Sequence, residues 1–332
     1  MVVTLLCALA LSADPTAPET LQQYEFQRIR MGIPVKIALY ATDDATAKQA
    51  AQAAFARMKQ LDRILSDYDP DSELMQLCGQ AGTDRHIPVS ADLKAVLEHS
   101  LRLSRQTDGA FDVTVGPLVK LWRKARRKKQ LPTAEALTTA RTAVGFEFVD
   151  LDADLSTVRL TKPNMRLDLG GIAKGYAADQ ALAELKANGV SRALIDAGGD
   201  IVVGDPPPGK AGWRIGIAPL LKKDGPPSRF VTLKNAGIAT SGDAWQYVEF
   251  DGVRYSHIID PKTGYGLTER SSVTVIAADG ITSDALASAV SVLGVQRGLD
   301  LIEKTLGAEA LFVTLEEEQP VVHTSSAFPA GE

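Results

Sequence analysis

Residues 166–180 read RLDLGGIAKGYAADQ, an apolar run interrupted by an aspartate, a glycine pair and a lysine. The pattern predicts a strand over residues 165–169 that feeds a helix over residues 176–188. Glycines let the backbone approach a ligand closely, a helix N-terminus offers N–H groups, and Lys174 adds a positive charge. These properties suit a phosphate or diphosphate. Neither the P-loop pattern nor GxGxxG is present, and an ordinary structural turn explains the stretch equally well.

The chain on either side of this stretch predicts an α+β fold, a single domain of mixed sheets flanked by helices in two intimate lobes. Strand runs and helices neither alternate strictly nor separate, which disfavours a doubly wound sheet. Helical periodicity is found in residues 45–65, 91–109, 136–145, 283–293 and 295–305, and Ser72 is a candidate helix cap. Strand patterns occupy residues 35–43, 146–151, 157–161, 192–197, 213–220, 229–240, 246–260, 271–278 and 310–315, followed by a polar tail.

Composition and charge exclude several classes of protein. With 332 residues, 45% of them hydrophobic, the chain can bury a substantial core and is not disordered. The net charge of -5 gives no footprint for nucleic acid. The only dense basic run, RKARRKK at residues 123–129, is interpreted as a solvated helix face or loop rather than a binding patch.

The N-terminus predicts export. Residues 1–13 form an apolar run typical of a signal peptide, with an apolar N-terminal extension as the alternative, and the remaining domain is assigned to residues 21–332. Location in the periplasm or on the extracytoplasmic face of the inner membrane is therefore expected. Cys7 and Cys78 make neither a disulfide framework nor a zinc motif, and no lipid anchor is predicted. No other run has the roughly 18 uncharged apolar residues of a membrane helix.

Three further features are weak when taken singly. The DAGGD sequence at residues 196–200 permits close approach of a ligand or of another segment, and IATSGD at residues 238–243 offers hydroxyl and backbone donors. His257 follows an apolar strand, and a histidine of near-neutral pKa is the usual acceptor for a hydroxyl proton. Tight packing, a serine-threonine turn and a structural histidine are the respective alternatives.

A fourth feature suggests a metal. Asp284 and Ser288 are four residues apart, which places them on one face of a helix. A carboxylate and a hydroxyl can hold Mg2+, which takes few carboxylates and shares its other positions with phosphate and water. The alternative is that Ser283 or Asp284 caps the helix. Together the features fit one task, which is binding a diphosphate compound with a divalent cation and a general base nearby.

Eight motifs occur in order along the chain: MGIPV, LSDYDPDSEL, DGAFDVTVGPLVKLW, LDLGGIAKGYAAD, DAGGDI, IATSGD, YSHIIDPKTG and SVTVIAADGITSDALASAVSVLG. This series gives the chain a resemblance to the FAD:protein FMN transferase (ApbE) family. It implies Mg2+-dependent cleavage of the FAD diphosphate in a cleft between the lobes. FMN passes to a Ser or Thr hydroxyl of an acceptor flavoprotein, such as a membrane redox-pump subunit with a flavinylation motif, and AMP is released.

The resemblance also implies roles for individual residues. His257 corresponds to the histidine that deprotonates the acceptor hydroxyl, and metal positions fall on Gly171, through its carbonyl, with Asp284 and Ser288. Contacts to FAD fall on Met31, Tyr68, Ala110, Phe111, Asp112, Asp168, Lys174 and Ile259. The family commonly has threonine where Ser288 stands, and some relatives carry an acidic residue where this chain has Ala287. An FAD diphosphatase that gives FMN and AMP, or a non-enzymatic flavin-binding protein, are the alternative functions.

Overall fold

An eight-stranded antiparallel sheet forms the centre of the computed structural model, which describes residues 20–220, 226–227, 229–242 and 247–331. The predicted signal peptide, residues 1–13, lies outside the described residues. The strands are β1 (Gln22–Arg30), β2 (Ile33–Ala41), β3 (Ile87–Pro88), β4 (Val149–Asp152), β5 (Thr157–Leu160), β6 (Ala193–Ala197), β7 (Asp200–Val203), β8 (Trp213–Ile217), β9 (Arg229–Leu233), β10 (Ala236–Gly242), β11 (Tyr247–Phe250), β12 (Val253–Ser256), β13 (Ser271–Ala277), β14 (Glu309–Glu316) and β15 (Gln319–Thr324). The helices are α1 (Asp44–Leu65), α2 (Glu73–Cys78), α3 (Ala91–Gln106), α4 (Gly116–Lys128), α5 (Ala134–Arg141), α6 (Ala173–Ala187) and α7 (Gly280–Glu303).

The order of strands in the central sheet is β1-β2-β6-β7-β10-β13-β14-β15, with every pair antiparallel. Alternation along each strand decides which side chains face which layer. On β2, Val35, Ile37 and Leu39 are buried in the large core beneath α1, α6 and α7. The intervening side chains, such as Tyr40, face a smaller core formed with the β8–β9 hairpin. The α+β fold class is confirmed.

The first half of α6 is fixed to the N-terminal end of α7. Asp179 of α6 accepts hydrogen bonds from the backbone N–H groups of Gly280 (2.7 Å) and Ile281 (2.8 Å). A Cβ atom at Gly175 would lie 2.0 Å from the Gly280 carbonyl oxygen. Glycine at position 175 therefore permits close helix packing, which is the structural alternative to ligand approach at this glycine.

A second group of elements stands against the sheet and helices, built around α4 and the β11–β12 hairpin. Leu118 and Trp122 of α4 form a core cluster with Leu137 of α5 and with Ile259. The Trp122 indole N–H donates to the carbonyl oxygen of Gly264, 2.8 Å away. This contact ties α4 to the segment that follows β12.

One predicted strand is wrong. Residues 165–169 run extended, with Met165, Leu167 and Leu169 buried, but only Arg166 makes a β-bridge, to Val115. The Leu167 N–H donates to the Cys78 sulfur instead of to a neighbouring strand. Alternating apolar residues thus indicate a segment that is buried on one side. A β-strand also requires a neighbouring strand that pairs with it along its length.

Other boundaries differ in ways that matter for the site. Helix α6 begins at Ala173 rather than at residue 176, which places Lys174 in the first turn. The predicted break between the last two helices is confirmed at Gly294, whose φ of 75° interrupts α7. The residues expected to form a polar tail include β15, which pairs with β14.

Helix α7 is long and apolar enough to cross a membrane by length and composition, alone among the helices of the described ranges. Sequence analysis singled out no such segment. The helix packs against α6, β10 and β13, and residues along its first half are buried in the main core. We therefore interpret it as the core helix of the fold.

Candidate functional site

A cavity of about 520 Å³ lies between the central sheet with its helices and the elements packed around α4. Its wall draws on the β1–β2 turn, the ends of α1 and β10, the start of α6, the middle of α7 and the segment after β12. All twelve residues predicted for the site line this one cavity: Met31, Tyr68, Ala110, Phe111, Asp112, Asp168, Gly171, Lys174, His257, Ile259, Asp284 and Ser288. They come from segments more than 250 positions apart, and the fold brings them together.

Lys174 is held between two buried carboxylates. Its ammonium group pairs with Asp200 and lies 3.8 Å from Oδ1 of Asp284. Burial alone would lower the pKa of Lys174, but the charges of Asp284 and Asp200 outweigh it and hold that pKa above its ordinary value. The lysine is therefore a fixed positive charge in the cavity wall. Asp200, at the start of β7, is a site residue that sequence analysis did not single out.

The three predicted metal positions lie at the junction of α6 and α7. The Gly175 N–H donates to Oδ2 of Asp284 (3.0 Å), which fixes that carboxylate at the base of the cavity. A Cβ atom at Gly171 would lie 2.6 Å from the Ser288 Oγ. The neighbouring Ser291 hydroxyl donates to the Ala287 carbonyl oxygen, one turn back in its own helix (2.7 Å), whereas no such bond is found for Ser288 among the described residues.

These residues fit a hard cation. The described part of the chain holds no group of three or more His, Cys, Asp or Glu side chains that could bind a metal by themselves. One carboxylate, one hydroxyl and a backbone carbonyl form an all-oxygen set that leaves positions for phosphate oxygens and water. That is the ligand pattern Mg2+ prefers.

Arg123 organises the opposite side of the cavity. It pairs with Asp67 and, at 3.0 Å, with Oδ2 of Asp168, and its guanidinium covers the Tyr68 ring at 4.2 Å from the centroid. Burial and the charge of Asp67 raise the pKa of Asp168, while Arg123 opposes that shift. The other oxygen of Asp168 accepts from the Gly170 N–H (2.9 Å). Tyr68 is 77% exposed, so its other face is open to a planar ligand.

Arg123 belongs to the basic run interpreted from the sequence as solvated. That interpretation is wrong for this residue, whose guanidinium is half-buried between two carboxylates. The i, i+4, i+7 spacing of Val119, Arg123 and Arg126 on α4 puts all three along the cavity. The apolar pattern at Leu118, Trp122 and Ala125 was the available signal for this helix and its facing.

Asp112 is the most enclosed acid of the loop between α3 and α4. It accepts hydrogen bonds from the backbone N–H (2.8 Å) and hydroxyl (2.7 Å) of Thr114 and from the N–H of Phe146 (2.9 Å). Burial outweighs these bonds and raises the pKa of Asp112 to about 6. The carboxyl therefore shapes the loop that presents Ala110 and Phe111 to the cavity.

His257 is exposed at the rim of the cavity, directly after β12. The segment is shaped on both sides: the Ile258 N–H donates to the Ser256 Oγ (3.1 Å), and the Gly264 N–H donates to the Asp260 carbonyl oxygen (2.8 Å). Ile259 is anchored in the core cluster with α4. This anchoring holds the imidazole ring where the cavity meets solvent.

The glycine pair of DAGGD has a backbone explanation. Gly198 and Gly199 have φ values of 72° and 100° in the turn between β6 and β7, a region that disfavours other residues. Gly198 also lines the cavity. Gly198 therefore both permits the turn and leaves room for a ligand at the cavity wall. From IATSGD, Thr240, Ser241 and Gly242 reach the cavity wall, while residue 243 lies outside the described residues.

Comparison with known proteins identifies the family. The sequence model described as the ApbE family matches residues 31–312. A protein of Haemophilus influenzae named FAD:protein FMN transferase is 34% identical over 291 residues, covering 86% of this chain and 84% of that protein. The solved structure titled Flavin Transferase ApbE from Vibrio cholerae has a TM-score of 0.84 at 30% identity, covering 93% of this chain and 99% of that one. The apo flavinyl transferase ApbE of Pseudomonas stutzeri gives a TM-score of 0.81 at 31% identity, covering 92% of this chain and 96% of that one. The chain belongs to the ApbE family.

Proposed function

We propose that this protein is a Mg2+-dependent FAD:protein FMN transferase. The observation that carries the proposal is the convergence of twelve residues, taken from six of the eight motifs, on one cavity of about 520 Å³. The relatives that match most of the chain carry the same activity in their names. The reaction forms a bond from an acceptor Ser or Thr oxygen to the FMN phosphorus, breaks the bond to the AMP oxygen, and releases AMP.

The cavity has the charges that this reaction requires. Phosphoryl transfer depends mainly on positioning and on neutralising charge around the phosphorus. Lys174, kept protonated by Asp200 and Asp284, adds a positive charge to the wall. Mg2+ held by Asp284, Ser288 and the Gly171 carbonyl would supply further neutralisation of the diphosphate.

The other lining residues orient FAD. Tyr68 and Phe111 offer aromatic faces for the flat rings, and Met31, Ala110 and Ile259 supply apolar wall. Asp168, held by Arg123 and by the Gly170 N–H, presents carboxylate oxygen to a polar edge. Asp112 maintains the loop that carries Phe111.

His257 is the proposed general base. It takes the proton of the acceptor hydroxyl as that oxygen attacks the phosphorus. Its place at the rim suits this role, because the acceptor is a macromolecule that approaches from solvent while FAD occupies the interior. The acceptor is a flavoprotein with a Ser/Thr flavinylation motif, such as a membrane redox-pump subunit. The apolar residues 1–13 support export, and hence a periplasmic reaction.

Incubation with FAD, Mg2+ and an acceptor subunit tests the proposal. In-gel flavin fluorescence on the acceptor, with one AMP released per flavin attached, is the expected result. Free FMN and AMP without labelled acceptor would identify an FAD diphosphatase. FAD that binds and remains intact would identify a flavin-binding protein. Either result would contradict transfer.

A further inference from the structure

The outer face of α4 carries a stripe of positive charge beside the catalytic cavity. Lys120, Lys124, Arg127 and Lys128 are exposed, and the spacing of three and four residues puts them on one side of the helix. This side is opposite the apolar stripe of Leu118, Trp122 and Ala125. Arg126 stands between the two faces and lines the cavity. Positive charge therefore runs continuously from the cavity mouth onto the outer surface.

Counter-ions for these four cations are absent from the part of the chain that the structure describes. Within the described ranges, no ion pair involves Lys120, Lys124, Arg127 or Lys128, whereas Arg123 on the same helix makes two. Lys120, Lys124 and Lys128 follow each other at intervals of four, where like charges repel. Interaction with the helix C-terminus favours only cations of the last turn, so it leaves Lys120 and Lys124 unexplained. In a chain of net charge -5, such a concentration of one sign favours an external anionic partner.

Contacts within the protein fix the position of α4, and hence of the stripe, relative to His257. Helix α4 is joined to the segment after β12 by the Trp122–Gly264 hydrogen bond and by packing between Leu118 and Ile259. A ligand seated on the outer face of α4 is thus held at a fixed position relative to the proposed general base. Arg126 and His257 are both exposed and line the same cavity, which the acceptor protein must reach from solvent.

We propose that the outer face of α4 (Lys120, Lys124, Arg127 and Lys128) docks an acidic segment of the acceptor protein, adjacent to the Ser or Thr that receives FMN. This inference rests on the proposed transferase function. Charge complementarity would steer the acceptor to the cavity and fix its register, with its main effect on association. Anionic lipid offers a similar charge, but Arg126 and the link to His257 favour the protein substrate.

A binding experiment with two peptides tests the surface. One peptide has a fluorescein label and a single threonine flanked by four glutamates on each side, and the other has glutamines in their place. At low salt the full-length protein should bind the glutamate peptide about tenfold more tightly than the glutamine peptide, and added salt should remove the difference. Equal binding of both peptides would overturn the inference.

Matched variants locate the effect. The triple variant K120Q/K124Q/R127Q removes three charges from the outer face and should lose the preference for the glutamate peptide. The control K59Q/R85Q/K304Q removes three exposed charges that do not line the cavity, and it should keep the preference for the glutamate peptide. Urea unfolding and FAD titration of both variants show whether each is folded. Equal peptide binding by the two variants would overturn the assignment to α4.

Transfer kinetics and vesicles complete the test. With the acceptor subunit that tests the proposed function, the α4 variant should raise the KM for acceptor about tenfold relative to the control and leave the KM for FAD unchanged. Absence of labelling by the wild type would contradict the proposed function itself, whereas normal labelling with the same acceptor KM in both variants contradicts only the docking surface. Binding of phosphatidylglycerol vesicles through α4, without preference for the glutamate peptide, would replace the acceptor by a membrane and overturn the inference.

Discussion

Gly171 lies against Ser288 so closely that a Cβ atom on residue 171 would be 2.6 Å from the Ser288 Oγ and 3.1 Å from its Cβ. The loop that opens α6 and the middle of α7 therefore meet without space for one additional methyl group. This contact holds a backbone segment and a hydroxyl together next to Asp284, whose carboxylate is fixed by the Gly175 N–H. The requirement for glycine at position 171 is steric and can be measured directly.

Gly171→Ala should lower the free energy of unfolding by about 1–3 kcal/mol, because the added methyl group overpacks the junction. Combining it with Ser288→Ala should recover part of that loss, since the 2.6 Å contact to Oγ disappears. Urea denaturation of the two single variants and the double variant gives the coupling energy. Strictly additive losses would show that the two positions do not meet.

Asp284→Asn should abolish Mg2+-dependent FMN transfer, with a loss of at least about 100-fold. An asparagine oxygen can still accept from the Gly175 N–H, so the fold is kept while the carboxylate charge is removed. The measurements are the rate of flavin attachment and the rise in Tm on adding MgCl2, which should also disappear. Asp300→Asn, an exposed position of the same helix that does not line the cavity, is the matched control and should keep the Mg2+-induced rise. An unchanged rise in Asp284→Asn would remove Asp284 from the metal site.

His257→Ala should retain FAD binding and lose about 100-fold or more in transfer rate, because the acceptor hydroxyl no longer has a proton acceptor. FAD affinity is measured by quenching of flavin fluorescence, and transfer by in-gel fluorescence of the acceptor. His86→Ala is the control, since His86 is exposed near β3 and does not line the cavity. Equal transfer by the two variants would exclude His257 as the base.

The sequence was informative wherever one element carried its own pattern. The helix with its start near residue 45 and the cap at Ser72 are both confirmed, because periodicity and capping are local properties. The strand assigned to residues 165–169 failed because a strand is defined by its partner. Burial alone gave Met165, Leu167 and Leu169 the same alternation.

In the site, too, local motifs were predicted from the sequence, whereas contacts between distant residues were not. Motif order predicted twelve residues that all line one cavity, but their roles in binding and catalysis stay predictions. Arg123 and Asp200 were missed because each acts through a long-range ion pair, with Asp67 and Asp168 for the arginine and Lys174 for the aspartate. The apolar stripe of Leu118, Trp122 and Ala125 indicates how α4 faces, but the local sequence does not show which carboxylates pair with Arg123.

Arg123→Met should destabilise the fold by about 2 kcal/mol, because it leaves Asp67 and Asp168 in a poorly solvated site without their shared cation. FAD affinity should also fall about tenfold, since Tyr68 loses the guanidinium that covers one face of its ring. Arg127→Met, on the outer face of the same helix, should change the free energy of unfolding by no more than about 0.5 kcal/mol. Urea denaturation and FAD titration compare them. Similar losses of stability and of FAD affinity in both variants would show that the ion pairs of Arg123 with Asp67 and Asp168 do not matter.

Asp112 should make folding more favourable in mild acid. Burial raises its pKa from 3.8 to about 6 in the folded protein, so the native state binds a proton that the unfolded chain lacks between those values. The contribution is complete below about pH 4 and is lost as pH rises through about 6, with a size of up to roughly 3 kcal/mol. The Asp112→Asn side chain cannot titrate. As pH rises from 4 to 7, the free energy of unfolding of the wild type should therefore fall relative to that of the variant. A difference independent of pH in urea denaturation would show that the Asp112 carboxyl keeps an ordinary pKa.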